Sequence, residues 1–282
     1  MSSASDPTSA SASPAASADL PSGEQLAADL ELALRLADAA DAISSERFGA
    51  QDLRIDTKPD RTPVTDADQA VERAIRAGIE AERPEDAFLG EEYGTVGEAS
   101  RQWIVDPIDG TANFLRGAPV WATLIALVID GVPVLGVVSA PALGKRWWAA
   151  RGGGGWVSER GGEPRRLAVS AVGALEDASI SYNSIQQWDQ AGMLEPLVAL
   201  SRRVWRTRAY GDMWSYMLVA EGVLDVAGEF DLQVYDMAAL VPIVEEAGGR
   251  FSSVAGEVGP WHGSALATNG VLHEATLEAL RA

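Results

Sequence analysis

The sequence of 282 residues contains no cysteine and only two histidines, His262 and His273. The absence of cysteine excludes disulfide bonds, thiolate metal sites and a cysteine nucleophile, and two histidines argue against a multi-histidine zinc site. Any bound metal must therefore be held mainly by oxygen atoms. Oxygen ligands favour magnesium, manganese or calcium.

Positive charge is scarce as well, because 22 lysines and arginines stand against 41 aspartates and glutamates, for a formal net charge of −19. This charge argues against binding to nucleic acids or to anionic membranes. It also repels anionic substrates at long range. A phosphorylated substrate would therefore need local cations in its site.

Long apolar runs are missing too, and no segment of the sequence is long and apolar enough to cross a membrane. Residues 1–23 consist mainly of serine, alanine and proline, without the basic start and apolar centre of a signal peptide. We therefore expect a disordered tail over residues 1–23 and a cytoplasmic protein.

The remaining chain, residues 24–282, is long enough for a substantial core, and its apolar pattern predicts an α/β (α+β) fold. The half up to about residue 170 has α+β character, and the half after it has α/β character because strands and helices alternate there. The predicted helices cover residues 24–47, 66–83, 192–202, 212–222 and 237–247 and a segment from 271. The main predicted strands cover residues 87–90, 103–105, 121–128, 132–138, 146–150, 155–157, 178–182, 204–208, 224–227, 250–253 and 265–268.

One segment, residues 103–117, combines features of a cation site and of a phosphate site. It reads W-I-V-D-P-I-D-G-T-A-N-F-L-R-G, and its apolar start predicts a buried strand that the Asp106-Pro step would end. Asp109-Gly110 predicts a sharp turn, and Thr111 would then cap a short helix. Two carboxylates beside a helix N-terminus suit a hard cation and a phosphate. The alternative is that these residues are ordinary turn residues.

Other acidic residues stand at predicted junctions between elements. Asp68 lies in the first turn of a helix, Glu91 follows the strand 87–90, and Asp236 precedes a helix. Capping for Asp68 and Asp236, and a solvated loop for Glu91 and its neighbour Glu92, are the simpler interpretations.

Taken together, these junctions predict one shared site. In α/β proteins the ends of strands at one sheet edge carry the functional residues. We therefore expect the carboxylates of Glu91, Asp106, Asp109 and Asp236 to converge. Such a cluster repels itself unless cations neutralise it, so it makes sense with two or three magnesium ions.

Four motifs carry a family resemblance. K-P-D-R-T-P-V-T-D-A-D, G-E-E-Y-G, W-I-V-D-P-I-D-G-T and V-Y-D-M-A-A occur in this order. They resemble the successive motifs of the inositol monophosphatase superfamily, with the similarity running from about residue 24 to the end. The resemblance implies a layered αβαβα sandwich, usually a homodimer, with magnesium-dependent phosphomonoesterase activity. The stretches R-I-D-T-K-P-D, V-V-S-A-P-A-L-G-K and R-A-Y-G-D-M-W are most similar to its histidinol-phosphate phosphatase branch.

The resemblance also implies a metal-ligand set. Glu91, Asp106 and the backbone carbonyl of Ile108 would hold a first magnesium ion. Asp106, Asp109 and Asp236 would hold a second. A weaker third ion would depend on Glu91 through water, which makes Glu91 a candidate catalytic residue.

Further roles follow from the same resemblance. Thr111 and Asp68 would orient and deprotonate the attacking water, and the N–H groups of Gly110 and Thr111 would bind the phosphate. Lys58 lies where the family has a basic residue near the phosphate, although it could equally be a solvated loop lysine.

The candidate substrate contacts include two departures from the general family pattern. Ala112 replaces a polar or basic residue, which leaves Asn113 as the nearest polar group, and Asp212 stands where threonine or serine is usual. Asp212 and Glu229 together suit a cationic amino alcohol better than a neutral polyol. Asp212 could instead cap the following helix, and Arg208 could contact substrate or lie in a dimer interface.

These residues lead to a functional hypothesis, the magnesium-dependent hydrolysis of L-histidinol phosphate to L-histidinol and phosphate in histidine biosynthesis. The alternative enzyme is an inositol-1-monophosphatase or a broad sugar-phosphate phosphatase. A non-catalytic cation or phosphate binder is a different class. The pair Thr111 and Asp68 argues against it, because a binder does not need to activate water.

Overall fold

The structure is a computed structural model that describes residues 22–57 and 63–282. Most of the predicted tail, residues 1–21, and the candidate phosphate ligand Lys58 lie outside the described residues. Ser22 caps the first helix, because its hydroxyl accepts a hydrogen bond from the N–H of Gln25 and its own N–H donates to the Gln25 side chain. Residues 22 and 23, assigned to the tail from the sequence, therefore belong to the start of this helix.

The elements before residue 170 are mainly antiparallel strands that follow two long helices. They are α1 (Gly23–Arg47), β1 (Ile55–Thr57), β2 (Pro63–Thr65), α2 (Asp66–Glu82), β3 (Ala87–Gly90), β4 (Gly94–Val96), β5 (Arg101–Asp109), α3 (Thr111–Arg116), β6 (Ala122–Ile129), β7 (Val132–Ala140), β8 (Lys145–Ala150), β9 (Gly154–Glu159) and β10 (Arg165–Arg166).

The elements after residue 170 alternate more regularly between strands and helices. They are β11 (Ser179–Ser181), α4 (Ile185–Gln190), α5 (Leu194–Ser201), β12 (Arg206–Arg208), α6 (Asp212–Ala220), β13 (Val226–Phe230), α7 (Val234–Met237), α8 (Leu240–Glu246), β14 (Arg250–Ser252), β15 (Ser264–Thr268) and α9 (His273–Arg281). The strands and helices named from the sequence are present, with ends shifted by a few residues.

The described strands form two large sheets and the small β1–β2 pair. The larger sheet has eight strands in the order β10-β9-β8-β7-β6-β5-β3-β4, and the smaller has five in the order β12-β11-β13-β15-β14. In the larger sheet β3 runs parallel to β5, and the other neighbouring pairs are antiparallel. In the smaller sheet β11 runs parallel to both β12 and β13.

Helices separate and cover the two sheets. Because side chains alternate along a strand, Val105 of β5 packs with α1 and α2, whereas Ile104 packs with α6 and α8 on the opposite face. The helices α6 and α8 also cover one face of the smaller sheet through Phe251. Residues of α5 and α9 pack on its other face against Val226 and Leu266. The order of layers is therefore αβαβα, as expected.

The strand β5 extends further than its sequence indicates. We predicted that Asp106 and Pro107 would end it, but β5 continues to Asp109. Its ladder with β6 is interrupted between Asp106 and Asp109, because Pro107 has no N–H to donate. The carbonyl of Pro107 accepts a hydrogen bond from the Thr123 hydroxyl instead, at 2.8 Å. The strand therefore bulges where its two carboxylates lie.

Proline also explains a second difference, in the predicted helix 237–247. The structure divides this segment between α7 and α8. Pro242 is the third residue of α8 and cannot donate a hydrogen bond to the carbonyl four residues earlier, at Ala238, where the helix breaks. In the described part of the chain, none of the helices has the length and apolar character needed to cross a membrane.

Candidate active site and metal centre

The register of two parallel strands brings the first two candidate acids together. Gly90 at the end of β3 lies opposite Val105 of β5. The next residues along the two strands, Glu91 and Asp106, therefore lie side by side at the same end of this strand pair. The N–H of Glu91 donates to the carbonyl of Val105 at 3.2 Å, which holds this end of β3 against β5.

Three of the predicted metal ligands converge closely. Asp106, Asp109 and Asp236 each offer a carboxylate oxygen, and these oxygens lie within 4.8 Å of one another. Asp106 and Asp109 flank the bulge of β5, and Asp236 arrives from α7. Asp236 is the third residue of α7 and accepts from the N–H of Gln233 at 2.6 Å, so it belongs to a capping box rather than being the N-cap itself.

These carboxylates repel one another, and their burial disfavours the charged form. Burial and the nearby charges of Glu91, Asp109 and Asp236 raise the pKa of Asp106 well above its usual value. Burial also raises the pKa of Asp109 well above its usual value, with a contribution from Asp212, and raises the pKa of Asp236 to about 7. The Oδ1 atom of Asp106 is buried and has no hydrogen-bond partner among the described residues.

A divalent cation fits this donor set. The unsatisfied Asp106 oxygen and the mutual repulsion of the acids are both relieved by a hard cation, which prefers carboxylate oxygens. Glu91 lines the same cavity as these three acids, although it is not one of the three whose oxygens lie within 4.8 Å. Ile108 lines this cavity as well.

The predicted water-activating pair is also assembled. The Thr111 hydroxyl lies 3.2 Å from Asp68 Oδ1 and 3.0 Å from the Ile108 carbonyl, and it can donate to either acceptor. Asp68 is fully buried, and its Oδ2 accepts from the N–H of Thr65 at 2.8 Å. The capping interpretation of Asp68 is therefore correct, and its second oxygen still reaches Thr111. Burial raises the pKa of Asp68.

Thr111 itself is not the helix cap that the sequence indicated. Gly110 is the N-cap of α3, with φ of 84°, a backbone conformation that favours glycine. A Cβ atom at position 110 would lie 2.9 Å from the Val120 carbonyl, so the turn is also too crowded for a side chain. As the first residue of α3, Thr111 keeps its hydroxyl free to contact Asp68.

Two further acids, Asp212 and Glu229, line the same cavity, which has a volume of about 370 Å³. Asp212 lies beside the cluster, because the N–H of the next residue, Met213, donates to Asp109 at 2.8 Å. Asp212 Oδ2 accepts from the Asn113 side chain at 2.6 Å, and Glu229 Oε2 accepts from the Tyr216 hydroxyl at 3.2 Å. Burial raises the pKa of Asp212 to about 6 and that of Glu229 to about 8. Gly211 is the N-cap of α6, so the alternative role of Asp212 as this cap is wrong.

Some candidate residues are placed away from the cavity. The Arg208 guanidinium donates to the carbonyl of Thr207 at 2.6 Å and does not line the cavity. Asn113 contacts Asp212 and the Val120 carbonyl, so it supports the cavity wall instead of facing the interior.

Sequence reasoning missed two residues that support the site. Glu72 is fully buried on α2, and its carboxylate accepts from the N–H groups of Glu92 at 2.7 Å and Tyr93 at 3.0 Å. Its spacing of four residues from Asp68 places both acids on one helix face, a signal that was available. Asn183 donates to Glu229 at 2.6 Å, and no local pattern in the sequence indicates this long-range contact.

Comparisons with known proteins find similar sequences and similar folds. The sequence model of the inositol monophosphatase family matches residues 25–282. A histidinol-phosphatase of Mycobacterium tuberculosis is 58% identical over 90% of this chain and 98% of its own length. A histidinol-phosphatase of Streptomyces coelicolor is 51% identical over 88% of this chain and 95% of its length. A solved inositol monophosphatase from Zymomonas mobilis is 35% identical, with a TM-score of 0.80 over 93% of this chain and 100% of that chain.

Proposed function

The chain belongs to the inositol monophosphatase family, and from this premise we propose that it hydrolyses L-histidinol phosphate to L-histidinol and phosphate. The observation that carries the proposal is a single cavity lined both by an acid cluster that demands a cation and by two further acids, Asp212 and Glu229. The identity of 58% to a histidinol-phosphatase, against 35% to the inositol monophosphatase, favours histidinol phosphate over inositol phosphate.

We propose magnesium as the cation, with two or three ions. Asp106, Asp109 and Asp236 would supply most of the ligands, with Glu91 and the Ile108 carbonyl at the edge of the cluster. Bound divalent cations would neutralise the phosphate oxygens and lower the pKa of a water molecule in the site. Their charge would also reverse the local repulsion of an anionic substrate by this acidic protein.

The residues around the cluster would orient the reactants. Asp68 holds the Thr111 hydroxyl by a hydrogen bond, so this pair can bind a water molecule and accept its proton through Asp68. Gly110 and Thr111 line the cavity, and their N–H groups would bind the phosphate there. Lys58 is proposed as a further phosphate ligand from the family resemblance alone.

Asp212 and Glu229 would bind the leaving group. Histidinol carries an ammonium group and an imidazole, and both can donate hydrogen bonds to Asp212 and Glu229. Asn113 would contribute by fixing Asp212. Arg208, which does not line the cavity, would reach substrate or a partner only across a dimer interface.

Other parts of the proposal concern the whole protein. Residues 24–282 would form one phosphatase domain, together with Ser22 and Gly23 at the start of α1. The protein would act in histidine biosynthesis in the cytoplasm, as a homodimer like its family. Its partners would be small-molecule phosphate monoesters.

A substrate panel tests the proposed function. Purified protein with magnesium should release phosphate from histidinol phosphate much faster than from inositol phosphates, fructose bisphosphate or a nucleoside bisphosphate. A preference for inositol phosphate would contradict the substrate assignment and leave the phosphatase activity in place. No phosphate release from any of these substrates, with or without magnesium, would identify a binding protein instead.

A further inference from the structure

Asn183 joins three segments behind the wall of the cavity. It follows β11 with φ of 51°, a left-handed conformation that asparagine adopts more readily than most residues. Its Nδ2 donates to Glu229 Oε2 at 2.6 Å and to the Asp212 carbonyl at 3.4 Å. Its Oδ1 accepts from the Gly211 N–H at 3.2 Å and from the Ser215 hydroxyl at 2.6 Å. One side chain thus contacts both segments that carry the proposed ligands of the leaving group, Asp212 and Glu229.

These contacts hold a backbone turn that would otherwise be costly. Gly211 has φ of 93° and Asp212 has φ of 45°, so two successive residues adopt positive φ. For Asp212 this conformation is unfavourable without support from its surroundings. The Asn183 side chain accepts from the N–H of Gly211 and donates to the carbonyl of Asp212. These two hydrogen bonds keep the Asp212 side chain against the cavity.

The Asn183 amide carries no charge, and this matters as much as its position beside Glu229. A lysine or arginine beside Glu229 would neutralise the carboxylate and compete with a cationic ligand. The neutral amide of Asn183 fixes the position of Glu229, and its hydrogen bond lowers the pKa of the carboxyl against the effect of burial without adding a positive charge. Elsewhere in the chain a buried acid is held differently, since Asp29 pairs with the guanidinium groups of Arg83 and Arg101.

We propose that Asn183 is a positioning residue that sets the preference of this site for a cationic leaving group. It acts through Glu229 and Asp212 and does not itself line the cavity. This inference rests on the proposed function, because it assigns the leaving-group end of the same site. Within the described residues, none of the hydrogen bonds of Asn183 reaches Asp68, Thr111 or the three clustered aspartates. Its link to the cluster is indirect, through the N–H of Met213, which follows Asp212 and donates to Asp109 at 2.8 Å.

A matched pair of variants tests the inference. Asn183→Gly removes the amide without backbone strain, because glycine tolerates the left-handed conformation. Asn269→Gly is the control, since Asn269 is a buried asparagine that also joins separate segments, through Ser170, Val172 and Leu272. The readouts are kcat and KM for histidinol phosphate and for p-nitrophenyl phosphate, whose leaving group carries no positive charge.

For Asn183→Gly we expect the KM for histidinol phosphate to rise about tenfold, the size of one hydrogen bond to a charged group. Turnover of p-nitrophenyl phosphate should stay within about twofold of the wild type, since its leaving group makes no ion pair with Glu229. The control should lower the melting temperature and leave the ratio of the two kcat/KM values unchanged. An equal loss for both substrates, or no loss for either, would overturn the inference.

A double-mutant cycle separates positioning from general stabilisation. If Asn183 acts through Glu229 and Asp212, the loss in Asn183→Gly combined with Glu229→Gln should be clearly smaller than the sum of the two single losses, because the part that passes through Glu229 is already gone. Additive losses would show that Asn183 acts elsewhere.

Calorimetric binding of L-histidinol provides a readout independent of turnover. The Asn183→Gly variant should bind it about tenfold more weakly than the wild type. A wild type that binds histidinol without hydrolysing its phosphate would contradict the proposed function only, and the effect of Asn183→Gly on binding would still be measured. A wild type that binds no histidinol would overturn both.

Discussion

Two groups of buried acids lie at opposite ends of the strand β5, and they are balanced in different ways. At its start, Asp29 pairs with Arg83 at 2.8 Å and with Arg101 at 2.9 Å. Asp86 accepts from Arg101 at 2.9 Å and from the Trp103 indole at 2.9 Å. Each acid therefore has a permanent cation within the protein, and this group needs no ligand.

At the end of the same strand the balance is missing. Within residues 22–57 and 63–282, no lysine or arginine pairs with Asp106, Asp109 or Asp236. Burial and mutual repulsion instead raise their pKa values. Buried acids are thus not by themselves a sign of function. The informative feature is a buried acid cluster whose counter-charge the protein does not supply.

The largest expected effect comes from removing one charge from the cluster of Asp106, Asp109 and Asp236. Asp109→Asn should lower kcat at least about 10²-fold, because it weakens the binding of a cation that acts only through its charge and position. Steady-state phosphate release with saturating magnesium measures this loss. Near-normal turnover would remove Asp109 from the metal site.

The balanced group provides the control for that variant. Asp86→Asn leaves the Arg101 guanidinium short of an acceptor, and we expect a loss of about 2 kcal/mol in the free energy of unfolding. Turnover below the melting transition should stay within about twofold of the wild type. A large loss of turnover in Asp86→Asn would mean that the two ends of β5 are not independent.

A second prediction concerns stability and magnesium. Because a cation that binds only the folded state stabilises it, magnesium at 100 times its dissociation constant should add about 2.7 kcal/mol to the free energy of unfolding. Denaturant titrations with and without magnesium measure this increment. It should persist in Asp86→Asn and shrink in Asp109→Asn. An equal increment in both variants would place the cation elsewhere.

The smallest expected effect concerns a group shifted mainly by burial. His273 is fully buried, its ring contacts the hydroxyls of Ser252 and Thr268, and burial lowers its pKa to about 4. Because the unfolded state takes up a proton near pH 6.5 and the folded state does not, stability should fall between pH 6.5 and 4. Between pH 7 and pH 5 the change should be on the order of 1 to 2 kcal/mol, because one unit of pKa difference corresponds to about 1.36 kcal/mol.

Comparing the wild type with His273→Gln by denaturant titration at pH 7 and pH 5 isolates this contribution. The wild type should lose more stability on acidification than the variant, and magnesium should not alter this difference, because His273 lies outside the acid cluster. An identical loss in both proteins would contradict the assignment of the neutral form to folded His273.

Local chemistry explains which elements could be predicted from the sequence. The helix α2 is predictable because Thr65 and Asp68 close a capping box and its apolar residues recur at helical spacing. The hairpin of β6 and β7 follows from two apolar runs on either side of the turn residues Asp130-Gly131. Short edge strands such as β4 and β10 carry too few residues for a period to show, and they were not predicted.

The errors came where a tertiary contact overrode a local rule. An aspartate followed by proline usually ends a strand, yet β5 continues because a bulge and the Thr123 hydroxyl satisfy its backbone around Pro107. Asp212 looked like a helix cap, but it adopts a positive φ that Asn183 supports from a distant strand end. Neither partner is close in sequence.

By itself, the sequence determined that oxygen atoms must hold any metal, that an acidic chain needs local cations to bind phosphate, and that the motif order is that of one family. Only the tertiary structure decided which acids converge and which are already neutralised by arginine, and it alone disclosed Asn183. The reason is that the energy of a buried charge depends on what lies within a few ångströms of it. Neighbours at that distance come from residues far apart in the chain.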